Sequence, residues 1–171
     1  MRQRRNRVTR AVRALAVCGA ALTTTVAGTA GSAAGAERAV PGGAPEADLA
    51  YHGSATLDEG RVDVSFVPRN HGPSAVPDAT VRLRWSVPPV AQQELPDGCA
   101  RSGTQVVLCR TGALAADGVG EPIELRVSLQ DTPSEVVLEL DTVWGGGAVD
   151  RNRENDQQRV LVLDTGDTYH F

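Results

Sequence analysis

Five oxygen-bearing side chains lie close together near the end of the 171-residue sequence and could bind a hard cation. They are Asp150, Asn152, Glu154, Asn155 and Asp156. Calcium prefers several carboxylate and amide oxygens presented on one tight loop. Against calcium, Arg151 and Arg153 alternate with the candidate ligands, and the central glycine of an EF-hand loop is absent. A solvated hairpin turn is the favoured interpretation, with calcium as the alternative.

Two cysteines, Cys99 and Cys109, could form a disulfide. An even number of cysteines in an exported chain usually indicates a bridge, and only one pairing is available here, because Cys18 falls in the predicted leader. Closing a loop of about ten residues would stabilise the fold by roughly 2.5 to 3 kcal/mol. A redox-active pair is more often spaced Cys-x-x-Cys, so we predict a structural bridge.

The histidines give no sign of catalysis. His52, His71 and His170 lack a metal-binding spacing such as His-x-x-x-His. The sequence also lacks a Gly-x-Ser-x-Gly elbow and a phosphate-binding glycine loop. We therefore expect no enzyme activity and no cofactor. A small hydrolase whose residues meet only in the folded chain is the least favoured alternative.

The elements that position these residues are predicted to be β-strands. Apolar and polar residues alternate with a period of two, and no segment has a convincing helical period. The clearest runs are 62–66, 81–87, 123–129, 136–144 and 160–163. Short strands separated by turn residues are typical of a sandwich. We predict an all-β, antiparallel, immunoglobulin-like sandwich of two sheets and about seven strands.

Two tryptophans, Trp85 and Trp144, fall on the apolar faces of predicted strands. Buried aromatic side chains dominate cores of this kind, so we predict that both fill the space between the sheets. An exposed pair that stacks on sugar rings is the alternative.

The first 36 residues have the composition of a secretory signal peptide. Six arginines between Arg2 and Arg13 precede a short apolar stretch, and Ala34-Gly35-Ala36 offers the small residues of a cleavage site. The apolar stretch is too short to span a bilayer, which requires about 20 residues. We predict a cleaved signal peptide at 1–36, a disordered linker at 37–47, the sandwich at 48–163 and a C-terminal tail at 164–171.

Removal of the leader would make the chain strongly acidic. The remainder contains 11 arginines, no lysine and 21 acidic residues, a formal charge of −10 compared with −4 for the whole sequence. Such a surface repels nucleic acids and anionic membranes. Cations and basic proteins are more plausible partners, although acidity also serves solubility alone.

Several short motifs occur in an order that resembles a known family. They are Asn70-x-Gly72-Pro73-Ser74, Val87-Pro88-Pro89, Pro96-x-Gly98-Cys99, Val107-Leu108-Cys109, Gly112-Ala113-Leu114 and Asp150-x-Asn152-x-x-Asn155. Over about residues 48–163 the chain resembles domain of unknown function 11 (DUF11). The resemblance implies an immunoglobulin-like module of bacterial and archaeal surface proteins, without enzyme activity. This chain differs in being a single copy without a wall anchor and in having Asp156 after Asn155.

The turn residues Asn70, Gly72 and Pro73 have a structural explanation. Asparagine bonds its own backbone in turns, glycine permits positive φ, and proline fixes the chain direction. We therefore predict that they form a structural turn.

Together these features predict a secreted, monomeric, non-catalytic module. It would bind an extracellular or cell-envelope protein through its loops or edge strands. A calcium-dependent or carbohydrate-binding accessory module is the alternative.

Overall fold

The computed structural model describes residues 43–171, which form twelve β-strands and no helix. The strands are β1 (Glu46–Ala47), β2 (Leu49–Asp58), β3 (Arg61–Asn70), β4 (Thr80–Trp85), β5 (Cys99–Arg101), β6 (Val106–Arg110), β7 (Gly118–Val119), β8 (Ile123–Ser128), β9 (Glu135–Trp144), β10 (Val149–Asp150), β11 (Gln157–Leu163) and β12 (Tyr169–His170). The all-β prediction is confirmed. Residues 43–171 therefore include no helix that could span a bilayer.

The predicted count of about seven strands is wrong. Seven strands have five or more residues, and the other five have only two or three. A strand of two residues shows no alternation, so the sequence pattern cannot reveal it.

Three of the predicted chain segments lie outside the sandwich predicted at 48–163, and the structure describes them to different extents. The proposed signal peptide, 1–36, lies outside the described residues. The proposed linker, 37–47, overlaps strand β1, in which Ala47 is buried. The proposed tail, 164–171, contains strand β12.

Two antiparallel sheets form the body of the molecule. The first has the strand order β11-β9-β4-β6-β5, and the second has the order β12-β2-β3, with β7 and β8 both paired with β3. Strands β1 and β10 add a short parallel ribbon. The two large sheets contribute buried side chains to one common core, which is consistent with the predicted sandwich.

Alternation along the strands produces this main core. On β3, Val62, Val64 and Phe66 face inwards, while Asp63 and Ser65 face outwards. Burial of such apolar side chains is the principal stabilising contribution to the fold. Trp85 is fully buried among them, as predicted.

Trp144 does not join this core, contrary to the prediction. Half of its surface is exposed (50%), and Val143 before it is also exposed. The pairing of β4 with β9 shifts register here, because Val81 pairs with Thr142 whereas Thr80 pairs with Trp144. This β-bulge interrupts the period of two and turns the indole outwards.

The predicted disulfide joins Cys99 to Cys109. The cysteines lie directly opposite each other on β5 and β6. Arg110 N–H donates to the Gly98 carbonyl next to this pair, so the cysteines occupy a non-hydrogen-bonded position, where facing side chains lie closest. The bridge therefore fastens the short edge strand β5 to its neighbour.

The outer edge of β8 is protected at its end. Leu129 N–H donates to the Gly60 carbonyl. In an antiparallel pair, every second residue forms hydrogen bonds with the partner strand and the residues between them point their N–H and C=O groups away. Those residues on β8 are Glu124, Arg126 and Ser128, whose backbone groups therefore face away from β3. Gln93 bonds both groups of Ser128, accepting from its N–H (2.8 Å) and donating to its carbonyl (3.4 Å). Only two residues of this edge, both charged, remain for pairing with another strand.

Candidate functional site

Segments far apart in sequence meet at one end of the molecule, here called the motif end and comprising residues 46–49, 70–79, 111–118 and 142–156. A second, smaller core holds them together. Its buried residues are Ala47, Leu49, Val76, Ala79 and Leu114, with Ala148 packed against them. The predicted turn and the predicted acidic loop both lie at this end.

Asn70 organises the turn at the end of β3. Its side chain is fully buried and uses all of its hydrogen-bonding groups. The Oδ1 atom accepts from Gly72 N–H (3.0 Å) and Asp48 N–H (3.3 Å), and Nδ2 donates to the carbonyls of Ser74 (2.8 Å) and Ala115 (2.9 Å). Asn70 therefore ties together the turn, the start of β2 and the loop before β7.

Gly72 occupies a position that no other residue fits. An added Cβ would lie 2.5 Å from the Cα of Ala47, closer than real Cβ atoms approach backbone. Pro73 follows on the exposed side, and the neighbouring Ser74 N–H donates to the Glu46 carbonyl. The absence of a side chain at Gly72 therefore lets the turn pack directly against β1.

The acidic loop is fastened to the start of β2. Asp150 accepts from Leu49 N–H through Oδ2 (2.8 Å) and from Asn152 N–H through Oδ1 (2.9 Å). The amides of Asn152 and Asn155 both donate to Asp48 Oδ1, at 3.3 and 2.8 Å. These oxygens act as acceptors within the protein. No local sequence pattern points to Asp48, which lies 107 residues before Asn155.

The structure places the other two candidate calcium ligands differently. Glu154 is exposed, whereas the side chain of Asp156 is fully buried. Arg153 Nη1 lies 2.8 Å from Asp156 Oδ2, so a guanidinium already supplies positive charge at this carboxylate. Among the described residues, no group of three or more His, Cys, Asp or Glu side chains is arranged to hold a metal ion.

Asp156 belongs to a buried polar network that the sequence did not reveal. Burial raises the pKa of its carboxyl, and the Thr142 hydroxyl and Arg153 partly oppose this effect. The Tyr51 hydroxyl lies 2.5 Å from the Thr142 hydroxyl, and burial likewise raises the pKa of Tyr51. Within the described region, the Oδ1 atoms of Asn155 and Asp156 are buried without a hydrogen-bond partner.

An exposed apolar surface borders this network. Val143, Trp144 and Val149, here called the Trp144 patch, are exposed by 44%, 50% and 42%. Trp144 and Val143 also line a cavity of about 90 Å³ that extends to Leu49 and Arg153. The three residues after Trp144 are glycines, and Gly146 has a φ of +67°, with its Cα hydrogens facing the Asp78 carbonyl too closely for a side chain. Position 146 therefore accepts only glycine.

The three histidines are not brought together as one group at the motif end. His71 lies in the turn after Asn70, where its N–H donates to the Asp48 carbonyl. His52 lies on β2, paired with Val67, and His170 lies on β12.

Comparisons with known proteins give little guidance. No family model matches the chain, and no curated protein matches it. A solved structure of beta-glucosidase 3B from Thermotoga neapolitana in complex with alpha-D-glucose is similar over 73% of this chain and 17% of that chain, with 14% identity and a TM-score of 0.43. This chain therefore spans about a sixth of the length of that protein.

Proposed function

We propose that this chain is an exported, non-catalytic interaction module that binds a protein partner through the Trp144 patch. The observation that carries the proposal is the exposure of the Trp144 indole, which follows the exposed Val143 at the end of β9. Tryptophan is enriched among the residues that contribute most to binding energy at protein interfaces. A bulge that turns such a side chain away from the core is a common way to re-aim a residue.

Hydrogen bonds hold the segments on either side of the patch. Asp150 fastens the following loop to Leu49, and Arg153 Nη2 donates to the carbonyl of Thr142 (3.2 Å), two residues before Trp144. A surface that is already ordered loses less conformational entropy when a partner binds.

For a protein partner, loops at the motif end are better candidates than the edges of β5 and β8. Gln93 blocks the end of the β8 edge, and the edge strand β5 has only three residues. Charged side chains and short length are the usual devices that prevent strand addition.

The architecture and location form part of the same proposal. A DUF11-like, immunoglobulin-like architecture is supported by the contacts among the motifs that carry the resemblance, since Asn70 bonds the loop after Leu114 and Asn155 bonds the start of β2. The disulfide is typical of chains outside the cytoplasm. We place the protein, as a monomer, at the cell wall or in the medium.

Site-specific cross-linking tests this function. A photoreactive amino acid at position 144 should capture one defined protein when the chain is exported by its own host. Leu161 on β11 is the matched control, because it is an apolar residue of similar exposure (47%). A Trp144→Ala substitution should weaken binding of the captured protein by about 2 kcal/mol or more. Equal capture from both positions, or an unchanged affinity, would contradict the proposal.

Calcium binding is a second candidate because of two unsatisfied oxygens. The Oδ1 atoms of Asn155 and Asp156 are buried without a partner in the described chain, and a cation would satisfy them. A thermal midpoint that rises with millimolar calcium and falls with chelator would support this function. The rise should disappear in an Asp156→Asn variant, and an unchanged midpoint would exclude a useful site.

Carbohydrate binding is the other alternative, favoured by the same exposed indole. An aromatic ring that is half exposed can stack on a sugar. Retention of the wild-type protein, but not of Trp144→Ala, on insoluble polysaccharide would support it over a protein partner.

A further inference from the structure

Residues 164–171 lead from the end of β11 to the free edge of β2 and add strand β12 to the second sheet. Gly53 and Phe171 exchange two backbone hydrogen bonds, of 2.9 and 3.0 Å. Tyr169 pairs with Ala55, two residues along from the Gly53–Phe171 pair. Since every second pair of an antiparallel ladder is hydrogen-bonded, the Tyr169–Ala55 pair is also a hydrogen-bonded one. The edge of β2 therefore presents backbone N–H and C=O groups, and residues 169–171 form hydrogen bonds with them.

Alternate side chains of the segment provide apolar anchors. Tyr169 and Phe171 are partly buried and pack against the main core, whereas His170 between them is exposed. The apolar surface that receives them belongs to the two sheets. This combination of a strand edge with pockets for alternate side chains is how β-strand addition sites recognise extended peptides.

A short exposed turn connects the segment to β11. Thr165 and Asp167 are exposed and bond each other through their side chains (2.9 Å), and Gly166 has a φ of +73°. Gly166 N–H donates to the Leu57 carbonyl (3.0 Å). The strand after this turn is only two residues long, so its pairing with β2 is confined to residues 169–171.

We propose that the edge of β2 is a strand-acceptor site for an extended peptide with aromatic residues at alternate positions, and that residues 168–171 of a second copy of this chain can occupy it. The second copy is favoured because its segment reproduces every contact that the chain makes with itself. Exchange of an identical element is an accessible route to dimers. The proposal uses no residue of the Trp144 patch, so the two proposals stand or fall separately.

A peptide supplied in trans tests the acceptor site. The probe is a fluorescently labelled peptide with the sequence of residues 167–171, followed by anisotropy. In a Tyr169→Ser/Phe171→Ser double variant of the otherwise full chain, the weakened segment should yield the site to the peptide. The wild-type chain should bind at least about tenfold more weakly, because its tethered segment competes at an effective concentration on the order of millimolar. A peptide with serine at both aromatic positions is the matched control.

A hinge deletion tests the exchange and keeps residues 167–171, which include the strand β12 and both aromatic side chains. Removal of Thr165 and Gly166 should prevent the segment from reaching its own β2 edge and should produce dimers or larger species, measured by light scattering. Excess free peptide should return them to monomers. A folded, monomeric deletion variant would overturn the proposal even if the double variant did not fold. Equal binding of both peptides, or no binding to a folded double variant, would also overturn it.

Discussion

At the scale of single residues, Asn70 shows how one buried amide can fix the arrangement of loops. Its four hydrogen bonds reach three separate segments of the chain. A carboxylate of the same shape could accept from Gly72 and Asp48 but could not donate to the carbonyls of Ser74 and Ala115. Asn70 therefore joins these three segments at the end of β3.

We expect Asn70→Asp to lower the free energy of unfolding by about 2 to 4 kcal/mol, because it buries a charge and leaves two carbonyls unpaired. Urea denaturation measures the change. Gln130→Glu makes the same chemical change on an exposed side chain and should stay within about 0.5 kcal/mol of the wild type. Equal effects of the two substitutions would contradict the role given to Asn70.

Asp156 predicts a specific dependence of stability on pH. Its folded-state pKa is raised above the unfolded value of 3.8, mainly by burial, so the folded state binds the proton more tightly than the unfolded state. The ionised form therefore costs stability at neutral pH, and this cost disappears as the pH falls through the folded pKa towards the unfolded one. Thr142, Arg153, Asp150 and Asp141 also act on the carboxyl, and the net shift includes them.

The comparison with Asp156→Asn isolates this group, because other titrations largely cancel between the two proteins. As the pH falls from 7 to 4, the wild type should gain stability relative to the variant. Chemical denaturation at a series of pH values measures the difference. A difference that moves in the opposite direction would show that the pKa is lowered.

At the scale of elements, the disulfide illustrates what spacing can and cannot predict. The pairing of Cys99 with Cys109 followed from the cysteine count, but the strand β5 that carries Cys99 has three residues and no visible alternation. The same limit accounts for the four two-residue strands. Trp144 was misplaced for another reason, since a bulge depends on the neighbouring strand β4 and leaves no trace in the periodicity of β9.

Loss of the bridge should cost about 2.5 to 3 kcal/mol, since it removes a constraint on a ten-residue loop of the unfolded chain. A Cys99→Ser/Cys109→Ser variant, compared by urea denaturation with the oxidised wild type, measures this cost. Cys18, if retained, is left unchanged in both proteins. No change in stability would imply that the bridge strains the folded state as much as it constrains the unfolded one.

Gln93 should protect the edge of β8. In Gln93→Ala, the amide of Ser128 loses its acceptor and should exchange hydrogen about tenfold faster, the factor that corresponds to a hydrogen bond of roughly 1.4 kcal/mol. Gln92→Ala removes the adjacent exposed side chain and should leave this amide unchanged. Hydrogen exchange followed by NMR distinguishes the two variants.

At the scale of the whole molecule, the fold class was predictable but the motif end was not. Alternation over five runs of the sequence indicated an all-β chain. The contacts that build the motif end join residues about 100 positions apart, such as Leu49 with Asp150 and Asp48 with Asn155. No local pattern encodes which loops meet, because that depends on the order of strands in the sheets.

The whole molecule also shows how its charges are distributed, because most of the described arginines are paired with carboxylates. Residues 43–171 contain ten arginines and twenty acidic residues. Seven of these arginines form ion pairs with carboxylates. Because positive charge is neutralised locally, the excess acidic groups dominate the field, which supports a basic or neutral partner over a nucleic acid.

The two tryptophans offer separate probes of cooperativity. Trp85 reports on the main core and Trp144 on the motif end. Because β2, β3 and β9 each run from the main core into the motif end, we expect one cooperative transition. In Trp144→Phe and in Trp85→Phe, the midpoint by fluorescence should equal that by far-UV circular dichroism. An earlier fluorescence transition in Trp85→Phe would show that the motif end opens independently.

The pairing of β1 with β10 places the chain entering the domain directly beside Val149 of the Trp144 patch. Any bulky tag, bead or support attached just before residue 43 would therefore sterically obstruct the proposed binding surface. Binding assays should accordingly immobilise the protein through a remote exposed position, such as one on the outer face of β8, so that the indole stays accessible.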